Sequence, residues 1–142
     1  MSPHIPTYVA NLGWQDPERA AAFAFWLQDL TSPFDIQPES VRLASADASF
    51  RRYFRIDAHA RTLVVMDAPP DKEDCQAFVK VAHLMAQAGL NAPRILKWDE
   101  PQGFMLLTDL GQRTMMQSMD VDAGPANLPW FKQALDVLLP WQ

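Results

Sequence analysis

At 142 residues, with 49% apolar and 20% charged residues, the chain is long enough for one domain with a real core and too apolar to be disordered. A net charge of −5 argues against a nucleic-acid partner, because a duplex-binding domain carries a basic excess. The single cysteine, Cys75, excludes an internal disulfide framework and fits a reducing, cytoplasmic setting. The chain lacks an apolar run of spanning length and a basic-then-apolar leader, so no membrane partner is expected.

Residues 1–15 show no period and read as a loose lead-in. Asp16-Pro17-Glu18 then opens a helix: Asp can cap, Pro fits the first helical position, and Glu suits the positive end. Ala20, Phe23, Ala24, Leu27 and Leu30 form its apolar stripe, with Trp26 at the edge, and Thr31-Ser32-Pro33 ends it. Ile36 to Ser40 links to a hairpin. Its strands run from about Val41 to Ala44 and from Tyr53 to Ala58, and Asp57 to Ala60 turns into a third. Thr62-Leu63-Val64-Val65-Met66 is apolar at nearly every position, as in a strand buried on both faces.

Asp67-Ala68-Pro69-Pro70 stops that strand. Asp71 is placed to cap a second helix, with Glu73 and Asp74 in its first turn, the stripe Phe78, Val81, Ala82, Met85, Ala88, and Gly89 at its end. Arg94 to Trp98 and Phe104 to Thr108 read as a final hairpin around Asp99 to Gly103. After Asp109-Leu110-Gly111-Gln112 the pattern weakens until Leu128, Phe131, Leu135 and Leu138 mark a last helix, whose apolar face has no evident partner in the sequence. His4, His59 and His83 are isolated, so no metal-binding spacing is found.

The turn between the first two strands is unusual in content. Ser45 to Ser49 carries no bulky side chain, and Arg51 and Arg52 follow at once. Small residues that expose N–H groups beside guanidinium groups suit a multiply charged oxyanion such as phosphate. A surface hairpin with a solvated Arg pair is the competing reading.

The order of hairpin, buried strand, helix, two strands and Asp-Leu-Gly resembles the N-terminal lobe of the aminoglycoside phosphotransferase-like kinases. Asp47-Ala48-Ser49-Phe50-Arg51-Arg52-Tyr53-Phe54-Arg55, Val65-Met66-Asp67-Ala68-Pro69-Pro70 and Leu107-Thr108-Asp109-Leu110-Gly111 are similar to its bacterial anomeric N-acetylmuramate/N-acetylglucosamine kinase branch. The resemblance covers about Ala20 to Thr114. It implies an α+β fold: a protein-kinase-like N-terminal lobe over residues 16–112, with a five-stranded antiparallel sheet, an N-terminal helix, and one helix between strands 3 and 4. Residues 113–142 would add a C-terminal helix from the start of the second lobe.

The resemblance also implies ATP as cofactor, with Mg²⁺ expected in the full-length family, and an amino-sugar or other small-molecule acceptor as partner. It places the phosphate loop at Ser45 to Arg52, including Asp47, Ala48, Ser49, Phe50 and Arg51. The adenine slot would lie beside Leu107, Thr108, Asp109, Leu110 and Gly111, with Leu43, Ile56, Val64 and Leu107 sandwiching the base and Met66 adjoining on the third strand. A filled core with no slot is the alternative.

Three departures bear on chemistry. Ala46 stands where the family usually has Gly, so the loop is expected to be stiffer or differently turned. No Lys occupies the third-strand position that normally holds the phosphates; Val65, Met66 or Asp67 stands there, leaving Arg51, Arg52 or Arg55 to balance phosphate charge. No His-x-Asp loop or later metal-binding Asp is found, so no catalytic or metal-ligating residue is assigned. The expectation is therefore the ATP-binding lobe of a sugar or small-molecule kinase, truncated before its catalytic lobe. The alternative is a non-catalytic nucleotide- or partner-binding module, recognisable as an oligomer indifferent to nucleotide.

Overall fold

A computed structural model describes residues 4–46 and 50–142. Asp47, Ala48 and Ser49, three of the expected phosphate-loop residues, lie outside the described residues. The described residues form a five-stranded antiparallel sheet in the order β1-β2-β3-β5-β4. Its strands are β1 (Ile36–Ala46), β2 (Arg52–Ala58), β3 (Arg61–Asp67), β4 (Ile95–Asp99) and β5 (Phe104–Thr108). The expected α+β lobe is therefore present, with a helix before the sheet, one between β3 and β4, and one at the C-terminal end.

One face of the sheet is filled by α2 (Pro17–Phe34). Asp16 caps this helix by accepting from the Glu18 N–H at 2.9 Å, and Pro17 takes the first turn, as the sequence predicts. Its stripe, Phe23, Leu27 and Leu30, packs on Phe54, Ile56, Leu63, Val65, Phe104 and Leu106. Phe23 lies 5.1 Å from Phe54 and 5.4 Å from Phe104, ring centroid to centroid. Trp26 is inside this core rather than at its edge, with its ring 5.5 Å from Phe104. The helix continues one residue past Pro33 and ends where Asp35 takes up φ 54°. Pro33 sits in the last turn, where its missing N–H leaves Asp29 C=O without its i→i−4 partner one residue before the helix ends.

The lead-in is more ordered than the sequence suggests. Thr7–Ala10 forms a short helix, α1, that buries Val9 completely. Trp14 lies 5.0 Å from Phe23 and 5.9 Å from Phe54. One helical turn is too short to generate a period, so its apolar residues give no signal until the sheet is there to receive them. Likewise Ile36 to Ser40, expected as a linker, belongs to β1. Ile36 and Gln37 pair with Ala58 and Asp57, and an irregularity between Gln37 and Arg42 blurs the alternation that would have revealed the strand.

The helix α3 (Gln76–Gln87) begins later than Asp71 would have it. Pro69 C=O accepts from Lys72 and Glu73 N–H groups and makes a separate turn, and Glu73 is diverted to Arg51. Asp74 is left to accept from the Gln76 N–H at 2.8 Å. The helix packs loosely, with Phe78 and Val79 half-buried and Val81 and Leu84 exposed. It ends at Gly89, φ 73°, as expected.

Beyond β5, Met115–Ser118 forms α4, closed by a capping box between Thr114 and Gln117. A 3₁₀ turn (Gly124–Asn127) leads into α5 (Leu128–Trp141). Leu128, Phe131, Leu135 and Leu138 are all exposed on α5, and among the described residues it buries none of its side chains.

Candidate functional site

Strand alternation sorts the candidate residues onto two faces. Val64, Met66, Met105 and Leu107 point away from α2 and form a second apolar patch with Tyr53, Phe78, Ile95 and Trp98. Val64 pairs with Arg55 on one side and Leu107 on the other, and Leu107 pairs with Ile95, so these four make one row across the sheet. Val64 and Leu107, both expected in the sandwich around a base, are thus neighbours on one wall.

Ile56 and Leu43 do not join them. Ile56 is fully buried in the core beneath α2, because it pairs with Leu63, whose side chain shares that face. Leu43 pairs with Phe54, also in that core, and is largely exposed. The expected four-residue sandwich is therefore corrected to one wall, Val64 with Leu107. The error has a simple origin: one residue of offset flips a strand side chain to the other face.

The same alternation separates the three third-strand candidates. Val65 packs beneath α2, and Asp67 is held by Arg19 of α2, so Met66 is the residue facing α3. Met66 is fully buried, and α3 contains no carboxylate that a lysine there could pair with.

Past Thr108 the chain leaves the sheet through a clamp. Arg55 donates from Nε to Asp109 Oδ2 at 2.6 Å and from Nη2 to Oδ1 at 3.1 Å. Its Nη2 also reaches the Gly111 C=O at 3.1 Å. Thr62 Oγ1 donates to Asp109 Oδ2 at 2.6 Å, and the Gly111 N–H donates to Oδ1 at 2.9 Å. The bond from Arg55 holds the Asp109 carboxyl well below the usual carboxylate range, with Thr62 and the Gly111 N–H adding to it. Gly111 sits at φ 110°, a conformation open to glycine. Thr108 is fixed on its other side, where its N–H donates to Arg94 C=O and its Oγ1 accepts from Arg94 N–H. Leu110, between these anchors, is exposed.

The other end of the sheet carries the turn. Leu63 pairs with Thr108 and Asp67 with Phe104, so the clamp and the turn lie at opposite ends of β3. Four residues at about 3.3 Å each separate them by ~13 Å. Ser45, expected in the turn, extends β1 and pairs with Tyr53, and Arg52 opens β2 opposite Ala46. Phe50 donates its N–H to Glu73 Oε1 at 3.3 Å, and Lys72 Nζ lies 4.6 Å from its ring centroid. Arg51 pairs with Glu73 Oε2 at 3.0 Å, toward α3.

Arg52 turns to the opposite face. It lies 4.5 Å over Trp14 and 4.9 Å over Phe54, and it donates to the Leu12 C=O. Burial pulls its pKa down, and nearby Asp67 only partly offsets that. A cavity of about 630 Å³ opens here between the 12–16 segment, Arg19 and Arg51–Arg52. Of the three arginines expected to balance phosphate, Arg55 is spent on Asp109 at the far end, while Arg51 and Arg52 remain at the turn, each already engaged by the protein. Among the described residues no three His, Cys, Asp or Glu side chains are grouped to hold a metal ion. Also among them, no helix is long and apolar enough to cross a membrane.

Thr62 and Arg19 are the participants that sequence reasoning missed. Thr62 was legible in principle, because it lies two residues before Val64 and shares its face. Arg19 carried no signal, since its partner Asp67 is 48 residues away.

Comparison with known proteins agrees with this fold. The phosphotransferase enzyme family matches over residues 40–138. An N-acetylmuramate/N-acetylglucosamine kinase of Pseudomonas aeruginosa is 50% identical over 109 residues, covering 76% of this chain and 31% of the relative. Kinases of the same name from Pseudomonas putida and Neisseria meningitidis serogroup B are 41% and 38% identical, covering 76% and 70% of this chain and 31% and 28% of the relatives. The chain spans about a third of the length of these curated relatives. With the family matched across most of its length and the sheet in the expected order, the chain belongs to the phosphotransferase enzyme family.

Proposed function

We propose that this chain is the ATP-binding lobe of a kinase acting on N-acetylmuramate, N-acetylglucosamine or a related amino sugar. The observation that carries this reading is the inequality of the sheet's two faces. One is sealed by α2; the other presents half-buried Val64, next to buried Leu107, beside a clamped strand exit with Leu110 exposed. An apolar wall next to fixed backbone N–H and C=O groups is what a purine ring requires. A base lying there would direct its phosphates along β3 toward the turn, where Arg51 and Arg52 follow the small residues.

In this reading Val64 and Leu107 hold one face of the base, and Thr108 to Gly111 read its edge. The phosphates would meet Arg51, which turns to the same face as the wall, while Arg52, on the opposite face, would reach them only by leaving Trp14. ATP supplies the phosphoryl group when bound. This lobe's share of catalysis is to orient that group, which in phosphoryl transfer is a large part of the task. The names of the relatives support the acceptor. Their greater length and the exposed apolar face of α5 support packing against a second lobe that supplies the acceptor site and catalytic base.

Titration with ATP–Mg²⁺, followed by calorimetry, tests the proposal. The wild-type chain is expected to bind, and Val64→Tyr, which fills the wall, is expected to abolish binding while leaving the melting temperature within a few degrees. Absence of wild-type binding at millimolar nucleotide, or unchanged binding in V64Y, overturns it.

A further inference from the structure

The Arg55 guanidinium reaches from β2 across β3 and ends on the segment that leaves β5. Its partners there are a carboxylate and a backbone carbonyl two residues apart, Asp109 and Gly111. Thr62, on the intervening strand, completes the carboxylate's shell from below, and the Gly111 N–H closes the loop onto the same carboxylate. Both partners of the ion pair are mostly shielded, with side chains 16% and 5% exposed. Such a network is stronger than an ordinary surface pair, because the guanidinium is two-pronged and the oxygens are otherwise satisfied. The α2-side core owes nothing to it, since Arg55, Thr62 and Asp109 all lie outside that core.

We infer that Arg55 is a positioning residue: through Asp109 and Gly111 it fixes the strand exit that follows Leu107, and thereby sets nucleotide affinity without touching the phosphates. The inference deepens the nucleotide reading above and rests on it for its functional half. The structural half, that Arg55 orders the exit segment, stands independently. Arg55 carries a charge yet contributes nothing to the phosphate end, because its side chain is consumed ~13 Å away from the turn.

Residue-resolved amide exchange on the 142-residue chain, without nucleotide, decides the structural half. Arg55→Met is expected to speed exchange at Gly111, whose N–H donates to Asp109, by about tenfold or more, the loss of a charge-assisted bond. Amides of Phe54, Ile56 and Val65 should change less than about twofold. Thr62→Val should give a smaller increase at the same amide, and Arg55→Lys should restore part of the protection. ATP–Mg²⁺ titration of the same variants should show affinity falling in parallel with lost protection. Unchanged exchange at Gly111, or an equal rise throughout the sheet, overturns the inference. If the wild-type chain binds no nucleotide, the reading of the face falls, while the exchange result still decides whether Arg55 orders the exit.

Discussion

Arg19 of α2 donates from both Nε, at 2.9 Å, and Nη2, at 2.5 Å, to a single oxygen of Asp67 at the end of β3. The same guanidinium donates to Gln102 C=O at 2.9 Å and lies 4.6 Å over the Phe104 ring. One side chain thus joins the start of α2, the end of β3 and the β4–β5 turn. Asp67 is 2% exposed, and burial pushes its carboxyl pKa up even though Arg19 pulls it back. The pair is structurally exacting, because either partner alone would be a buried charge without compensation.

Arg19→Met is therefore expected to cost about 3–5 kcal/mol of stability, measured by urea unfolding. The double variant Arg19→Met with Asp67→Leu should recover most of that loss, since hydrophobic replacement of a buried pair is often close to neutral. A double variant less stable than the single one would show that Asp67 has a second essential partner, with Arg52 the nearest candidate.

Asp109 predicts a pH dependence. Its folded pKa is depressed, so its contribution is present above the ordinary carboxylate value near ~3.9 and is lost as pH falls through the depressed folded value. Wild type should exceed Asp109→Asn in stability at neutral pH, and the gap should shrink steadily once pH drops below about 4. A gap that does not change between pH 7 and pH 3 would mean that the carboxylate's charge is not what binds Arg55.

Gly103 tolerates no side chain. At φ 72° a Cβ there would meet the Ala68 carbonyl oxygen at 1.9 Å, and the Ala68 N–H already donates to the Gly103 C=O at 3.0 Å. Gly103→Ala should lower stability by about 2 kcal/mol or more, combining a left-handed backbone with a clash against main chain. Thermal unfolding of the two proteins side by side measures it; equal midpoints would contradict the close approach.

Arg52 and Arg42 make an informative pair. Arg42 pairs with Asp57 at 2.9 Å, but both side chains are more than 40% exposed, so Arg42→Ala should cost less than about 0.5 kcal/mol. Arg52→Ala gives up two ring contacts and the bond to Leu12, and should cost about 1–2 kcal/mol. ATP–Mg²⁺ titration of both variants, at equal folded fraction, then tests a phosphate role for Arg52. A greater loss of affinity in R52A than in R42A supports it, and equal affinities count against it.

Much of this organisation could be read from residue order. The helix cap at Asp16-Pro17, the apolar runs of β3 and β5, the Gly89 stop and the final helix are local signals, set by propensity and period. The motif around Asp109 located the strand exit, although the partners of its carboxylate, Arg55 and Thr62, come from two other strands. The short helix at Thr7–Ala10 and the N-terminal half of β1 escaped notice because a single turn and an irregular strand leave no period to detect.

What belonged to the amino-acid order alone was the succession of elements and the family they announce, because both depend on neighbours within a few residues. Which face each side chain occupies was decided only by the packed sheet. Pairing across strands sent Ile56 beneath α2, set Val64 beside Leu107, drew Arg52 onto Trp14 and committed Arg55 to Asp109. Those contacts join residues up to 54 positions apart, and no local pattern carries the register that brings them together.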